Sequence, residues 1–171
     1  LLSILIIIIL LIILAFFTIT TSKTVTAMLN VEKGTVKVNQ GKGWIKAKDE
    51  MELSLGDKIK TEQDGQASII LYESKIISLE PETEVAIADL DKKHLKVKQE
   101  TGKTWNKFTG LLGVERLSIE TPNTVATVRG TSFEVGMNEI LVGEGEVEVT
   151  TNGENCLLYT SPSPRDLSTS R

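Results

Sequence analysis

Two hydrophobic patterns share this chain. Between Leu1 and Phe17 the residues are apolar with one exception, Ser3. From about Met28 the pattern becomes alternation. Val36 and Val38 are separated by Lys37 and followed by Asn39; Ala67, Ile69 and Leu71 fall on one side; Ile76 to Leu79 follows after a turn. Val85/Ile87, Leu95/Val97, Leu117/Ile119, Ile140–Val142 and Val147/Val149 continue the series. A period of two predicts half-buried strands, because successive side chains of a strand point to opposite faces. Turn signals separate the runs: Lys33-Gly34, Gln40–Gly43, Leu55-Gly56-Asp57, Asp64-Gly65, Glu80-Pro81, Gly102, Gly110, Thr121–Asn123 and Gly143–Gly145. Short strands at even spacing predict one all-β domain over residues 28–151, built as a β-solenoid-like stack or a two-layer sandwich. Its expected core is Val36, Ile59, Ala67, Ile69, Leu71, Ile77, Leu79, Val85, Ile87, Leu95, Val97, Leu117, Ile119, Val128, Phe133, Val135, Val147 and Val149. Weak internal echoes pair Ile59-x-Thr61 with Ile119-x-Thr121, and Glu32-x-Gly34-x-Val36-x-Val38 with Glu144-Gly145-x-Val147-x-Val149.

The apolar start reads as a transmembrane helix over residues 1–20. Seventeen residues would rise about 26 Å as a helix, and a bilayer core needs about 30 Å, so Thr18, Ile19 or upstream residues complete the span. A cleavable signal peptide is the rival, with Val25-Thr26-Ala27 supplying small residues for cleavage. Residues 21–27 form a linker, and the domain behind the single anchor is expected outside the cytoplasm, periplasmic or at the cell surface. The chain opens on Leu1 rather than Met and is read as a fragment. At the other end the alternation stops. Residues 152–171 read as a disordered, Ser/Pro-rich tail, and Cys156-Leu157-Leu158-Tyr159-Thr160-Ser161-Pro162 onward resembles translated adapter sequence, so residues 156–171 are expected to be non-native.

Composition narrows the chemistry. The 171 residues carry a net charge of −4, with 25% charged residues, and Lys and Glu are mixed along the alternating segment. No basic block stands out for nucleic acid, which needs cations to displace phosphate counterions. Cys156 is the single cysteine, so no intramolecular disulfide forms. His94, the single histidine, sits out of phase with Leu95 and Val97 and shares the solvent face with Lys96 and Lys98. Asp89 and Asp91 lack the twelve-residue oxygen-rich loop of a calcium site and read as a hairpin turn. Gly143–Gly145 lacks the lysine and following helix of a phosphate loop. No nucleophile–base set, metal set or cofactor motif emerges, and the chain reads as a binding protein rather than an enzyme. Trp44 and Trp105 each read either as core or as a partner-binding platform.

The segment Thr121–Val135 carries the most specific pattern. Pro122 sets a turn after the strand ending at Thr121. Ala126 and Val128 are even-numbered and apolar; past Gly130 the apolar positions, Phe133 and Val135, are odd-numbered. An extra residue at Arg129-Gly130 is required, and a bulge or sharp corner is predicted there. Arg129, set in an apolar stretch, is expected to be buried as a strap to strand carbonyls or to Glu120, Glu134 or Glu144.

Together, Leu55-Gly56-Asp57-x-Ile59-x-Thr61, Gly102-x-x-Trp105-x-x-Phe108, and Ile119-x-Thr121-Pro122-x-x-x-Ala126-x-Val128-Arg129-Gly130-Thr131-x-Phe133-x-Val135 resemble the FecR domain family over residues 30–150. That resemblance implies a regulator with a single membrane span, whose outer portion receives a signal from another envelope protein. The motif residues Thr121, Pro122, Arg129, Gly130, Thr131 and Phe133 are then structural. The alternative is a structural cell-surface module that ties polymer or assembly proteins to the membrane.

Overall fold

The computed structural model describes residues 27–72, 75–91, 93–108, 116–151 and 154–159. The expected anchor at 1–20 and the linker up to residue 26 lie outside these residues. Among the described residues every regular element is a strand, and no helix is long and apolar enough to cross a membrane.

Among the described residues sixteen strands form two sheets. They are β1 (Ala27–Lys33), β2 (Val36–Asn39), β3 (Trp44–Lys46), β4 (Met51–Glu52), β5 (Lys58–Thr61), β6 (Gln66–Leu71), β7 (Lys75–Leu79), β8 (Glu84–Leu90), β9 (His94–Thr101), β10 (Thr104–Phe108), β11 (Arg116–Glu120), β12 (Thr124–Val128), β13 (Ser132–Val135), β14 (Ile140–Glu144), β15 (Glu146–Thr151) and β16 (Glu154–Tyr159). One sheet has the order β14-β13-β10-β7-β6-β1-β4, the other β16-β15-β12-β11-β9-β8-β5-β2-β3. Both orders advance with the chain apart from the first hairpins. The two expected architectures therefore merge: a two-layer sandwich whose chain winds from end to end as a solenoid does. All neighbours are antiparallel except β9 and β11, which pair in parallel with Leu117 beside Leu95 and Ile119 beside Val97.

Every expected core position is buried, and Leu29, Val38, Leu53, Phe108 and Ala126 join them in one cluster drawn from both sheets. The alternation thus reports burial correctly, since one face of each sheet looks inward. Polar side chains span the layer gap. Gln99 of β9 donates from Nε2 to the Val135 carbonyl of β13 at 2.9 Å and to the Gly102 carbonyl at 2.9 Å. Its Oε1 accepts from Thr104 Oγ1 of β10 at 2.7 Å. Buried groups of this kind hold their place only when hydrogen-bonded.

The sequence echo has a structural counterpart. Thr61 N donates to the Thr83 carbonyl while Thr83 N donates back to Thr61 Oγ1. Thr121 N donates to the Thr124 carbonyl while Thr124 N donates back to Thr121 Oγ1. In both cases a buried threonine, at the end of one strand or just past it, caps the start of the antiparallel neighbour.

The segment expected as a disordered tail from residue 152 departs from that expectation. Glu154–Tyr159 forms β16 and pairs antiparallel with β15 from Thr151↔Glu154 to Glu146↔Tyr159. The reason is the open edge of β15, whose free N–H and C=O groups accept any extended segment that returns along it.

Candidate functional site

The motif segment bends through two sharp features at opposite ends of β12. At one end, Thr121 is buried and its Oγ1 both donates to the Thr124 carbonyl at 3.2 Å and accepts from Thr124 N at 3.1 Å. Pro122 and Asn123 form the exposed tip. At the other end β12 leaves the nine-stranded sheet, and β13 begins in the seven-stranded one. Arg129-Gly130 is the corner between the sheets, with Gly130 at φ +77°, a backbone conformation that side chains disfavour. The predicted change of phase is present: Ala126 and Val128 before the corner, and Thr131, Phe133 and Val135 after it, are all buried.

Arg129 does not do what the pattern suggested. It is exposed, and no ion pair or side-chain hydrogen bond joins it to Glu120, Glu134 or Glu144 among the described residues. The corner lies where the chain has left one sheet and not yet entered the other, so its outer side faces water and a guanidinium stays solvated there. Thr131 is the strap instead. It is 3% exposed, donates from Oγ1 to the Glu146 carbonyl at 2.9 Å, and accepts Phe108 N at its own carbonyl at 2.9 Å. Phe133 is fully buried and faces Asn106 across the ladder.

Trp44 and Trp105 are both surface residues, 42% and 39% exposed. They lie on different sheets and are not brought together. Trp105 sits on the outer face of β10, opposite Ser78 and Glu134. Its ring lies across Gly143 of β14, where a Cβ would come within 3.0 Å of the indole. That contact gives Gly143 a packing role. Ile76, opposite Lys107, and Leu141, beyond Glu134 in the Trp105 row, are exposed on the same sheet. Lys103 bridges Glu134 at 2.9 Å and Glu139 at 3.2 Å beside it; the hydrogen bond to Glu134 and then that to Glu139 raise its pKa. Trp44 lies on edge strand β3 of the other sheet, opposite Asn39.

The remaining candidates are plain surface or turn residues. His94 is exposed on the outer face with Lys96 and Lys98. Asp89 Oδ1 accepts Asp91 N, and Asp91 Oδ1 accepts Lys93 N, so these aspartates close the β8–β9 turn. Cys156 is exposed. Among the described residues no group of three His, Cys, Asp or Glu side chains is placed to hold a metal ion. A groove of about 330 Å³ opens between the Gly136–Ile140 turn and the ends of β11, β12 and β15, with Thr121 and Asn123 on its rim and Leu158 of β16 on one wall. Sequence reasoning did not find this groove, because its walls come from both sheets and from the last strand.

The corner, its threonine strap and the alternating strands around them fall inside a match to the family model "FecR protein" over residues 57–151. The chain belongs to the FecR protein family. The match opens on Asp57, which is buried and accepts Ser54 N at 2.9 Å and Gln40 Nε2 at 2.8 Å through Oδ2. It closes at the end of β15, before β16. A search of the curated proteins finds no match. Among solved structures, the FecR chain is similar in fold to a candidate anti-sigma factor from Parabacteroides distasonis ATCC 8503, seen in two crystal structures at 1.65 and 2.50 Å resolution. For each the TM-score is 0.52 at 16% identity, and the alignment covers 60% of this chain. The chain spans about half, 51%, of the length of that protein.

Proposed function

We propose that this FecR domain is the extracytoplasmic receiving part of a signalling or protein-interaction module, held to the membrane by a single helix at residues 1–20. The family match over residues 57–151 carries the reading. Likeness in fold to a candidate anti-sigma factor agrees with a regulatory role. Thr121, Gly130, Thr131 and Phe133 serve backbone and core, which is what a scaffold for recognition needs. The apolar run at the start, broken before Phe17 by Ser3 alone, supports the anchor. The partner on this reading is another envelope or cell-surface protein, and the exposed Trp105 face with Ile76 and Leu141 is its contact, since aromatic anchors flanked by aliphatics concentrate binding energy.

Alkaline phosphatase and green fluorescent protein, each fused after residue 155, test the topology. An active phosphatase, a dark fluorescent protein and retention in membranes after carbonate washing are expected. A fluorescent, washable fusion refutes the anchor and the location together.

A further inference from the structure

Strands β2, β3 and β5 carry four charged residues, and all four are lysine: Lys37, Lys46, Lys58 and Lys60. They are distant in sequence, yet the register aligns them. Lys46 lies opposite Lys37, and Lys37 lies opposite Lys60. In the neighbouring row Trp44 lies opposite Asn39, and Asn39 opposite Lys58. Val36, Val38 and Ile59 of the same strands are buried, so by strand alternation the lysines, Asn39 and Trp44 share the outer face. Adjacent strands stand about 4.8 Å apart, which makes the Lys46–Lys37–Lys60 row a ladder of like charges. Like charges directly opposite one another weaken a sheet. A merely solvated face avoids this by mixing signs, as the β9–β11 part of the same sheet does, where Glu120 takes Lys96 at 3.4 Å and Lys98 at 3.8 Å.

The ladder is narrow and firmly mounted. Glu84 ends the first row beyond Lys60. Glu62 pairs with Lys37 at 2.7 Å, and that hydrogen bond with the lysine charge holds its carboxyl below the usual range. Lys46, Lys58 and Lys60 have no ion pair among the described residues. The β2–β3 hairpin is fixed by Asn39 Oδ1, which accepts Gly41 N and Gly43 N, and by Gln40 Nε2, which donates to buried Asp57. Trp44 is thereby presented beside the lysines rather than folded away.

We propose that this face binds an anionic polysaccharide, with carboxylates on the lysine ladder and a sugar ring against Trp44. The strip spans three strands. A bilayer surface would press on Glu62 and Glu84 as well, and a nucleic-acid duplex needs a broader set of cations than four lysines. An aromatic ring at the end of a charged row suits a ligand that offers both an apolar ring face and acidic groups. The inference stands whether or not the domain signals, and it uses a different sheet from the Trp105 contact.

The test is fluorescence anisotropy of labelled polygalacturonate with the full chain in phosphatidylcholine nanodiscs. Binding should weaken as salt rises and should be absent for neutral dextran. Each exposed charge pair contributes up to about fivefold, so K37Q/K60Q should bind about tenfold more weakly or worse. W44A should weaken binding while leaving its salt dependence unchanged. K107Q, on the outer face of the other sheet, should bind as wild type. Circular dichroism melts confirm that K37Q/K60Q and W44A are folded at the assay temperature. No binding, or equal binding by wild type and K37Q/K60Q, overturns the proposal. Displacement of the labelled polymer at lower charge concentration by phosphatidylserine vesicles or by poly-dT than by unlabelled polygalacturonate overturns the choice of occupant.

Discussion

Replacing Gln99 with Ala should destabilise the domain by about 2–4 kcal/mol, whereas Arg129→Met should change it by less than about 0.5 kcal/mol. The contrast comes from where each side chain sits. Gln99 is 1% exposed and makes three hydrogen bonds, two of them reaching β13 and β10 of the facing sheet. Truncation leaves the Val135 carbonyl and Thr104 Oγ1 short of a partner in the buried gap between layers. Each such deficit costs about 1–3 kcal/mol. Two features soften the sum. Thr104 Oγ1 still accepts from Asn106 Nδ2 at 3.1 Å, and the Gly102 carbonyl lies at a turn that water reaches. Arg129 is exposed at the corner and touches no carboxylate partner, so its loss leaves nothing buried and unpaired. Thermal and urea melts of the full chain, followed by circular dichroism, should place Gln99→Ala roughly 10 °C below wild type. Gln99→Leu, which keeps the volume, should recover little, because the lost term is polar rather than packing. Arg129→Met melting as low as Gln99→Ala would show that the corner arginine is a strap after all. Gln99→Ala melting with wild type would remove the inter-sheet bridge from the account.

Three further outcomes follow from single contacts. Gly102→Ala should destabilise by more than about 2 kcal/mol in urea melts, since Gly102 has φ +83° and a Cβ there would lie 2.5 Å from Thr83 Cα and 2.7 Å from the Glu82 carbonyl oxygen; a variant as stable as wild type would mean the β9–β10 turn can rearrange. Phe133→Ala should cost about 3–5 kcal/mol, the transfer and cavity terms of a fully buried ring, and a loss below 1 kcal/mol would place the ring outside the core. Lys75 is 1% exposed with Nζ 5.5 Å from the centroid of Phe108, and burial lowers its pKa; the unfolded chain therefore binds the extra proton between the folded and unfolded values, and stability should rise with pH through that window, below the ordinary lysine range. That slope should vanish in Lys75→Met, measured as wild type minus variant in urea midpoints, and a persisting slope would assign it elsewhere.

Burial was legible in the sequence, and so was the corner. Strand alternation is a local property: whether Val36, Leu117 or Val147 faces inward depends on its neighbours in the chain, and each of those residues is buried. The shift from even to odd apolar positions across Arg129-Gly130 required an irregularity wherever the strands ended up. The strand at 154–159 was not legible, because β16 depends on the unpaired edge of β15 rather than on its own pattern. The fate of Arg129 was equally hidden, since apolar neighbours in sequence do not bury a residue at a corner where the chain passes from one sheet to the other. Tertiary structure alone decided the lysine ladder. Along the chain, Lys37, Lys46, Lys58 and Lys60 look like the ordinary mixing of Lys and Glu. Pairing β3 to β2 and β2 to β5 places them side by side. Alternation says which face a residue takes, but only the hydrogen-bonded register between distant strands says what stands beside it.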